Sequence, residues 1–336
     1  MKIEDIAKLA NVSKSAVSLA INGKPGVSEQ TRQHILKIIE ENNYVPLRTT
    51  KVKAENKIIN FIACKNDDII DDSFSDMPFF NELLATLSIE ASKRSYNINI
   101  NTISESSLLL ELSKIIGSKK SNANILLGTN LSETILRQLA KEYPDIIIID
   151  NYYENINANF ISINNSLAGY ISAKYLIDKG HSKIAYAGGQ PRIKNFDERR
   201  RGFEAAIQEA NIKRELSLEF IFNGMQIQEN KSFQKRLKNL EQLPTAFVCE
   251  NDYIAISLLK SLQSLDIKVP EQISIIGVDN IGECQVVNPE LTTITVHKDE
   301  IINQTLNLID EQLNSNNFNN IHIQINPKLI ERKSVK

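Results

Sequence analysis

The sequence predicts an α/β protein: a small all-α head, then a large body of parallel sheets divided into two lobes. Three observations carry this reading. The first 45 residues break into three short amphipathic helices. From Ile58 onward, short continuous apolar runs alternate with helical patterns, the signature of a doubly wound parallel sheet. The alternation continues too long for one sheet, so the body divides.

The head is read helix by helix. Ile3, Ile6, Ala7 and Ala10 fall at 3.6-residue spacing, and Asn11 suits the tight turn that follows. Ser13 is placed to cap a second helix whose inner face is Ala16, Val17, Ala20 and Ile21. Asn22-Gly23 breaks that helix and Pro25-Gly26 lengthens the turn. Ser28 is placed to cap a third, with Ile35, Leu36, Ile38 and Ile39 inward, ending near Asn42-Asn43. Two short helices around a tight turn, braced by a third, are helix-turn-helix geometry. Charge agrees. Residues 1–57 hold ten Lys and Arg against six acids, although the whole chain has a formal net charge of −2. A basic head on an acidic body points to a polyanion partner for the head alone.

In the body, the strand candidates are 58–64, 97–100, 124–128, 145–150, 160–163, 183–189, 245–250 and 274–279. FFNELLATLSIEASKRS and DERRRGFEAAIQEAN are helical patterns between them.

Composition removes several function classes. The chain has 336 residues, 42% hydrophobic and 24% charged, which excludes general disorder. No stretch approaches the roughly 18 apolar residues of a membrane span. The start MKIEDIAKLA lacks the apolar core of a secretory signal, so a cytoplasmic setting and no membrane partner are expected. Cys64, Cys249 and Cys284 are scattered without a C-x-x-C, which drops both a disulfide framework and a zinc site. Phosphate-loop and dinucleotide glycine motifs are missing, and no metal or cofactor is expected. His34, His181, His297 and His322 lie far apart with no nucleophile–base set, so no catalytic residue is assigned and no enzyme activity is expected. His181, following Gly180, reads as a helix C-terminus.

The string IEDIAKLANVSKSAVSLAINGKPGVSEQTRQHILKIIEENNYVP resembles the headpiece of the LacI/GalR family of transcriptional regulators. The resemblance rests on its AxxAxVSxxxVSxxxN spacing, the later VSxxTRxxI and the YxP. It continues through GHSKIAYAGG, RRRGFEAAI, ENDYIAISLLKSL, IKVPEQISIIGVDN, PELTTI and LIERKS, in family order, to cover essentially the whole chain.

The resemblance implies a headpiece at 1–46, a hinge at 47–57 and an effector-binding and dimerisation domain at 58–336. That domain would be a periplasmic-binding-protein-like clamp, one lobe about 58–161 plus 292–320, the other about 162–291 plus 321–330. In the head, Lys14 and Ser15 would face base edges, and Ser18, Asn22, Ser28 and Thr31 would hold phosphate. Pure capping by Ser13 and Ser28 is the plainer reading of those serines. Leu19 departs from the family's usual Arg and would pack on a thymine methyl rather than read guanine. In the hinge, relatives insert a Leu into the minor groove where this chain has Lys53, with Val52 the nearest apolar residue. Lys51 and Lys53 then neutralise phosphate, or Val52 substitutes, or the segment is a plain basic linker.

For the effector the family pattern falls on Phe79, Phe80, Asp150, Arg199, Met225, Asn251 and Asp279. Carboxylates, an amide and a guanidinium suit vicinal hydroxyls, so a sugar or sugar derivative is the expected ligand. Met225 stands where many relatives carry an aromatic plate, and Asn164 where they carry Asp. Taken singly, Asp150 and Asn251 also read as cap or turn residues, Arg199 as a surface ion pair and Asp279 as a turn former. The whole implies a homodimeric repressor on a near-palindromic double-stranded operator, with ligand altering DNA affinity. A solute receptor and a sugar-modifying enzyme are the competing classes; the first leaves the basic head unexplained, the second lacks a phosphate-binding motif.

Overall fold

Local chemistry closes the head as expected. The computed structural model describes residues 2–42, 44, 57–66, 69–118, 120–315 and 319–336, and divides into two units, Met1–Asn56 and Lys57–Lys336. Helix α1 (Ile3–Leu9) starts with Asp5 Oδ2 accepting the Lys2 amide at 2.7 Å. Asn11 takes a left-handed φ of 50° at the turn. Ser13 Oγ accepts the Ala16 amide to cap α2 (Lys14–Ile21), and Ser28 Oγ accepts the Thr31 amide to cap α3 (Glu29–Glu41). Ile6, Val17 and Ile35, all with no exposed surface, form the centre of a small core with Ala7, Ala20 and Tyr44. Leu36, expected inward, is instead exposed, because α3 turns only the stripe through Ile35, Ile38 and Ile39 toward its neighbours. Arg32 fixes the turn between α2 and α3: its guanidinium donates to the carbonyls of Leu19, Ala20 and Lys24.

The body holds two six-stranded sheets. The first runs β11-β5-β4-β3-β1-β2, from β1 (Lys57–Lys65), β2 (Tyr96–Ser104), β3 (Ala123–Leu127), β4 (Ile147–Ile149), β5 (Asn159–Ile163) and β11 (His322–Ile325), all parallel. Helices α4 (Pro78–Lys93), α5 (Leu108–Gly117) and α6 (Glu133–Glu142) connect its strands. The second runs β12-β10-β9-β8-β6-β7, from β6 (Ile184–Gln190), β7 (Glu219–Asn223), β8 (Ala246–Cys249), β9 (Ser274–Asp279), β10 (Thr292–Thr295) and β12 (Lys328–Ile330). Only β12 is antiparallel in it. Helices α7 (Asn165–Asp178), α8 (Lys194–Glu209), α9 (Lys231–Lys238) and α10 (Asp252–Gln263) belong to this lobe, while α11 (Lys298–Asn314) packs back on α4.

The chain therefore crosses between lobes three times: after β5, after β10 and after β11. The expected exchange points need correction. Strand 292–295 pairs with β9 in the second sheet, not the first, and 322–325 pairs with β5 in the first, not the second. The physical reason is register: each short strand continues the edge it lies beside, so the chain changes lobe only once that pairing is complete. The inner strands are continuous in burial, as in β1 and β9, while edge strands such as β2 and β11 are partly exposed.

Candidate ligand cleft and nucleic-acid interface

The cleft begins with two carboxylates at strand ends. Asp150 follows β4 with φ 63°, and Asp279 ends β9 with φ 115°. Side chains rarely adopt such backbone, which costs on the order of 1–3 kcal/mol and concentrates at binding sites. Both carboxyls are buried. Thr129 Oγ1 donates to Asp150 Oδ2 at 2.6 Å, and Asn195 Nδ2 donates to its Oδ1 at 3.1 Å. Burial pushes the Asp150 carboxyl up to about 6, against the Thr129 hydrogen bond and the Arg199 charge.

Arg199 is the hub, and two glycines put it there. Where α7 crosses α8, a Cβ on Gly169 would lie 1.8 Å from the Arg199 carbonyl oxygen, and one on Gly202 the same distance from that of Ser166. Only glycine permits backbones this close. Arg199 Nε then donates to Asn165 Oδ1 (2.8 Å), Nη1 to the Glu250 carbonyl (2.6 Å) and Nη2 to Asp279 Oδ1 (2.9 Å). It is a buried hub, not a surface ion pair. Burial raises the Asp279 carboxyl, while Arg199 and Lys298 pull the other way. Asp252 lies behind, accepting from Thr293 Oγ1, the Ile281 amide and Cys284 Sγ, and burial with Asp279 beside it pushes its carboxyl up to about 7.

Phe79 and Phe80 meet edge to face at 5.3 Å on α4. Asn251 caps α10 by accepting the Ile254 amide and donates to the Gly224 carbonyl, so the cap reading and the cleft position coexist. Met225 sits half-buried nearby. All seven sequence-predicted cleft residues line one narrow pocket between the lobes, together with Thr129, Ile193, Asn195, Phe196 and Tyr253. Direct bonds hold the lobes across it. The Phe79 amide donates to Tyr253 Oη at 3.0 Å, Asn195 Nδ2 reaches Asp150, and Glu82 Oε1 accepts the Gly282 amide at 2.9 Å.

Sequence reasoning missed Thr129, Asn195, Phe196 and Tyr253. A signal existed for Asn195, which precedes Arg199 by four residues and so shares its helix face. Asn164, by contrast, is a cap: its Oδ1 accepts the Leu167 amide and its Nδ2 donates to Asn326. His181 closes α7 as expected, its amide donating to the Leu176 carbonyl.

In the head, Lys14 and Ser15 open α2 and are exposed. Lys14 Nζ pairs with Glu4 Oε1 at 2.7 Å, both groups more than half exposed. Ser18 and Asn22 lie one turn apart, Asn22 Nδ2 donating to the Ser18 carbonyl. Ser28 and Thr31 share a hydroxyl hydrogen bond of 2.7 Å beside the α3 N-terminus. Leu19 is half-buried and lies against Gly26, so part of it serves the turn. Lys51, Val52 and Lys53 lie outside the described residues.

Residues 2–46 match the bacterial regulatory proteins of the lacI family, and residues 173–335 the periplasmic binding protein-like domain. The NTD biosynthesis operon regulator NtdR of Bacillus subtilis (strain 168) is 31% identical over 335 residues, covering 99% of both chains. The HTH-type transcriptional repressor PurR of Histophilus somni (strain 2336) is 29% identical over 99% of this chain and 98% of its own. Among solved structures, the lac repressor dimer bound to operator and the anti-inducer ONPF superposes with a TM-score of 0.73 at 16% identity, covering 99% of this chain and 98% of that one. A complex of the transcriptional regulator CelR with cellobiose superposes with a TM-score of 0.70 at 19% identity, covering 99% of both. Helix-turn-helix head, two-lobed clamp and full-length similarity lead to one conclusion: the chain belongs to the LacI family of DNA-binding transcriptional repressors.

Proposed function

We propose that this repressor works as a homodimer whose operator affinity changes when a small polyhydroxylated ligand, a sugar or sugar derivative, enters the cleft. The observation that carries the reading is convergence. Two carboxylates, a guanidinium and two amides from both lobes meet in one cavity, beside aromatic rings suited to the apolar face of a pyranose. The lobes are already bonded across that cavity, so a ligand must exchange those bonds for its own. Lobe orientation then depends on occupancy, and segment 47–57 passes the change to the head. Release of DNA on ligand binding is the expected sign.

Dimerisation is supported by exposed apolar side chains on the first lobe: Ile100 on edge strand β2 is 55% exposed and Ile89 on neighbouring α4 is 57% exposed. In the head, Lys14 and Ser15 face base edges, while Ser18, Asn22, Ser28 and Thr31 hold phosphate; Leu19 contributes an apolar contact. Lys51, Val52 and Lys53 serve the hinge contact with DNA.

Calorimetric titration of the full chain with hexoses, pentoses and disaccharides tests the ligand class. Binding that Arg199→Ala abolishes, while the variant keeps its fold by circular dichroism, supports the reading. The rings of Phe79, Phe80, Phe196 and Tyr253 favour one second reading, a planar heterocycle. Binding of free nucleobases in place of any sugar establishes it.

A further inference from the structure

We infer that the ligand of the cleft carries a positively charged amine, which Asp150 receives: an amino sugar or a related polyhydroxylated amine rather than a neutral sugar. The inference rests on the cleft being a carbohydrate site and deepens that reading.

Three side chains that carry charge near neutral pH line the cavity, Asp150, Arg199 and Asp279, beside the neutral phenol of Tyr253. Arg199 spends its charge on Asp279, 2.9 Å away, and its other bonded N–H groups on Asn165 and the Glu250 carbonyl. Asp150 takes hydrogen bonds from neutral donors only, Thr129 and Asn195, and feels the Arg199 charge without a hydrogen bond to it. Lys298 is held by Glu82 at 3.0 Å and by the Asp279 carbonyl at 2.8 Å, and Lys194, which adjoins Asn195, is held by Glu198 at 3.0 Å. The cleft lining therefore holds two carboxylates against one guanidinium, one carboxylate more than its cation neutralises.

The hydrogen-bonding balance points the same way. The amides are turned onto the protein: Asn195 donates to Asp150, and Asn251 donates to the Gly224 carbonyl. What stays open is acceptor capacity, since a carboxylate offers about four lone-pair sites and Asp150 has side-chain donors at only two. An ammonium group brings three donors, no acceptor and the missing charge. Burial raises the Asp150 carboxyl further than Thr129, Arg199 and Asn195 together lower it. Buried unpaired charge is costly, and a cationic ligand removes that cost on binding.

The test is a set of matched pairs. The full-length protein is titrated calorimetrically at pH 7.5 with the 2-, 3- and 6-amino-deoxy forms of glucose and galactose, each beside its parent hexose. At least one amine is expected to bind about tenfold or more tighter than its parent, the margin of a charge-assisted over a neutral hydrogen bond. In Asp150→Asn the amine-to-parent ratio should fall toward one. The wild-type comparison stands whether or not that variant folds. Parents binding as tightly as amines throughout overturns this inference and leaves the carbohydrate reading intact. Nucleobases binding while every hexose and aminohexose is silent overturns both. No binding by any compound overturns the inference as well.

Discussion

Lys14 is engaged before DNA arrives. Its exposed pair with Glu4 contributes little, of the order of 0–1 kcal/mol, so it is weak competition for the proposed base contact. Lys14→Ala should cost about 1–3 kcal/mol on the specific site if the contact is bidentate to a base. Competition binding checks this: an equal loss on random DNA reassigns Lys14 to phosphate. Behind the cleft, Asp252 offers a pH test. Its folded pKa of about 7 exceeds the ordinary 3.8, so the folded state holds its proton more tightly. Its stabilising contribution is complete below about pH 3.8 and is lost as pH rises through 7. The melting temperature of wild type relative to Asp252→Asn should therefore fall between pH 5 and 8; a flat difference rejects the assignment. At this scale the sequence was most legible where a polar residue ends an apolar run, as Asp150 and Asp279 do. It was least legible for Thr129 and Asn195, ordinary polar residues whose role appears only when the fold turns them onto Asp150.

At the scale of elements, the α7–α8 crossing is the part of the body that builds the site. Gly202→Ala places a methyl group against the Ser166 backbone, which cannot swing aside as a side chain can. Overpacking of this kind costs about 1–3 kcal/mol, and α8 must shift, carrying Arg199 with it. We expect a melting temperature lower by several degrees together with weaker ligand binding; an unchanged affinity separates helix packing from the site. The long buried strands were readable because both faces are covered and the apolar runs are continuous. Strands β7, β10, β11 and β12 were not. Three of them are edges with mixed polarity, and β10 reads TTIT, where Thr292 and Thr293 bury hydroxyls that bond Arg332 and Asp252. The displaced exchange points follow directly, since β10 and β11 mark them.

For the whole molecule, the account requires two heads held about one helical turn, ~34 Å, apart on one operator. Ile100→Lys should weaken self-association in sedimentation at micromolar concentration and lower operator affinity with it. A variant that sediments as wild type removes this face from the interface. Ligand and operator must also alter each other's affinity by one common factor. On the proposed reading the head follows the clamp through the hinge at 47–57, where the sequence offers Lys51, Val52 and Lys53. The full-length match to repressors was legible from the headpiece onward, whereas ligand identity was not, because it depends on the charge balance of side chains from both lobes.

The central claim is that this head reads one sequence under control of the clamp. The most direct measurement is capture of genomic fragments by the purified full-length protein at two salt concentrations, with and without the sugar identified by titration. The account predicts one near-palindromic site above a salt-sensitive background, with its recovery altered by the sugar. Recovery of only unspecific DNA in every condition, or of one site indifferent to a ligand that demonstrably binds, would contradict it.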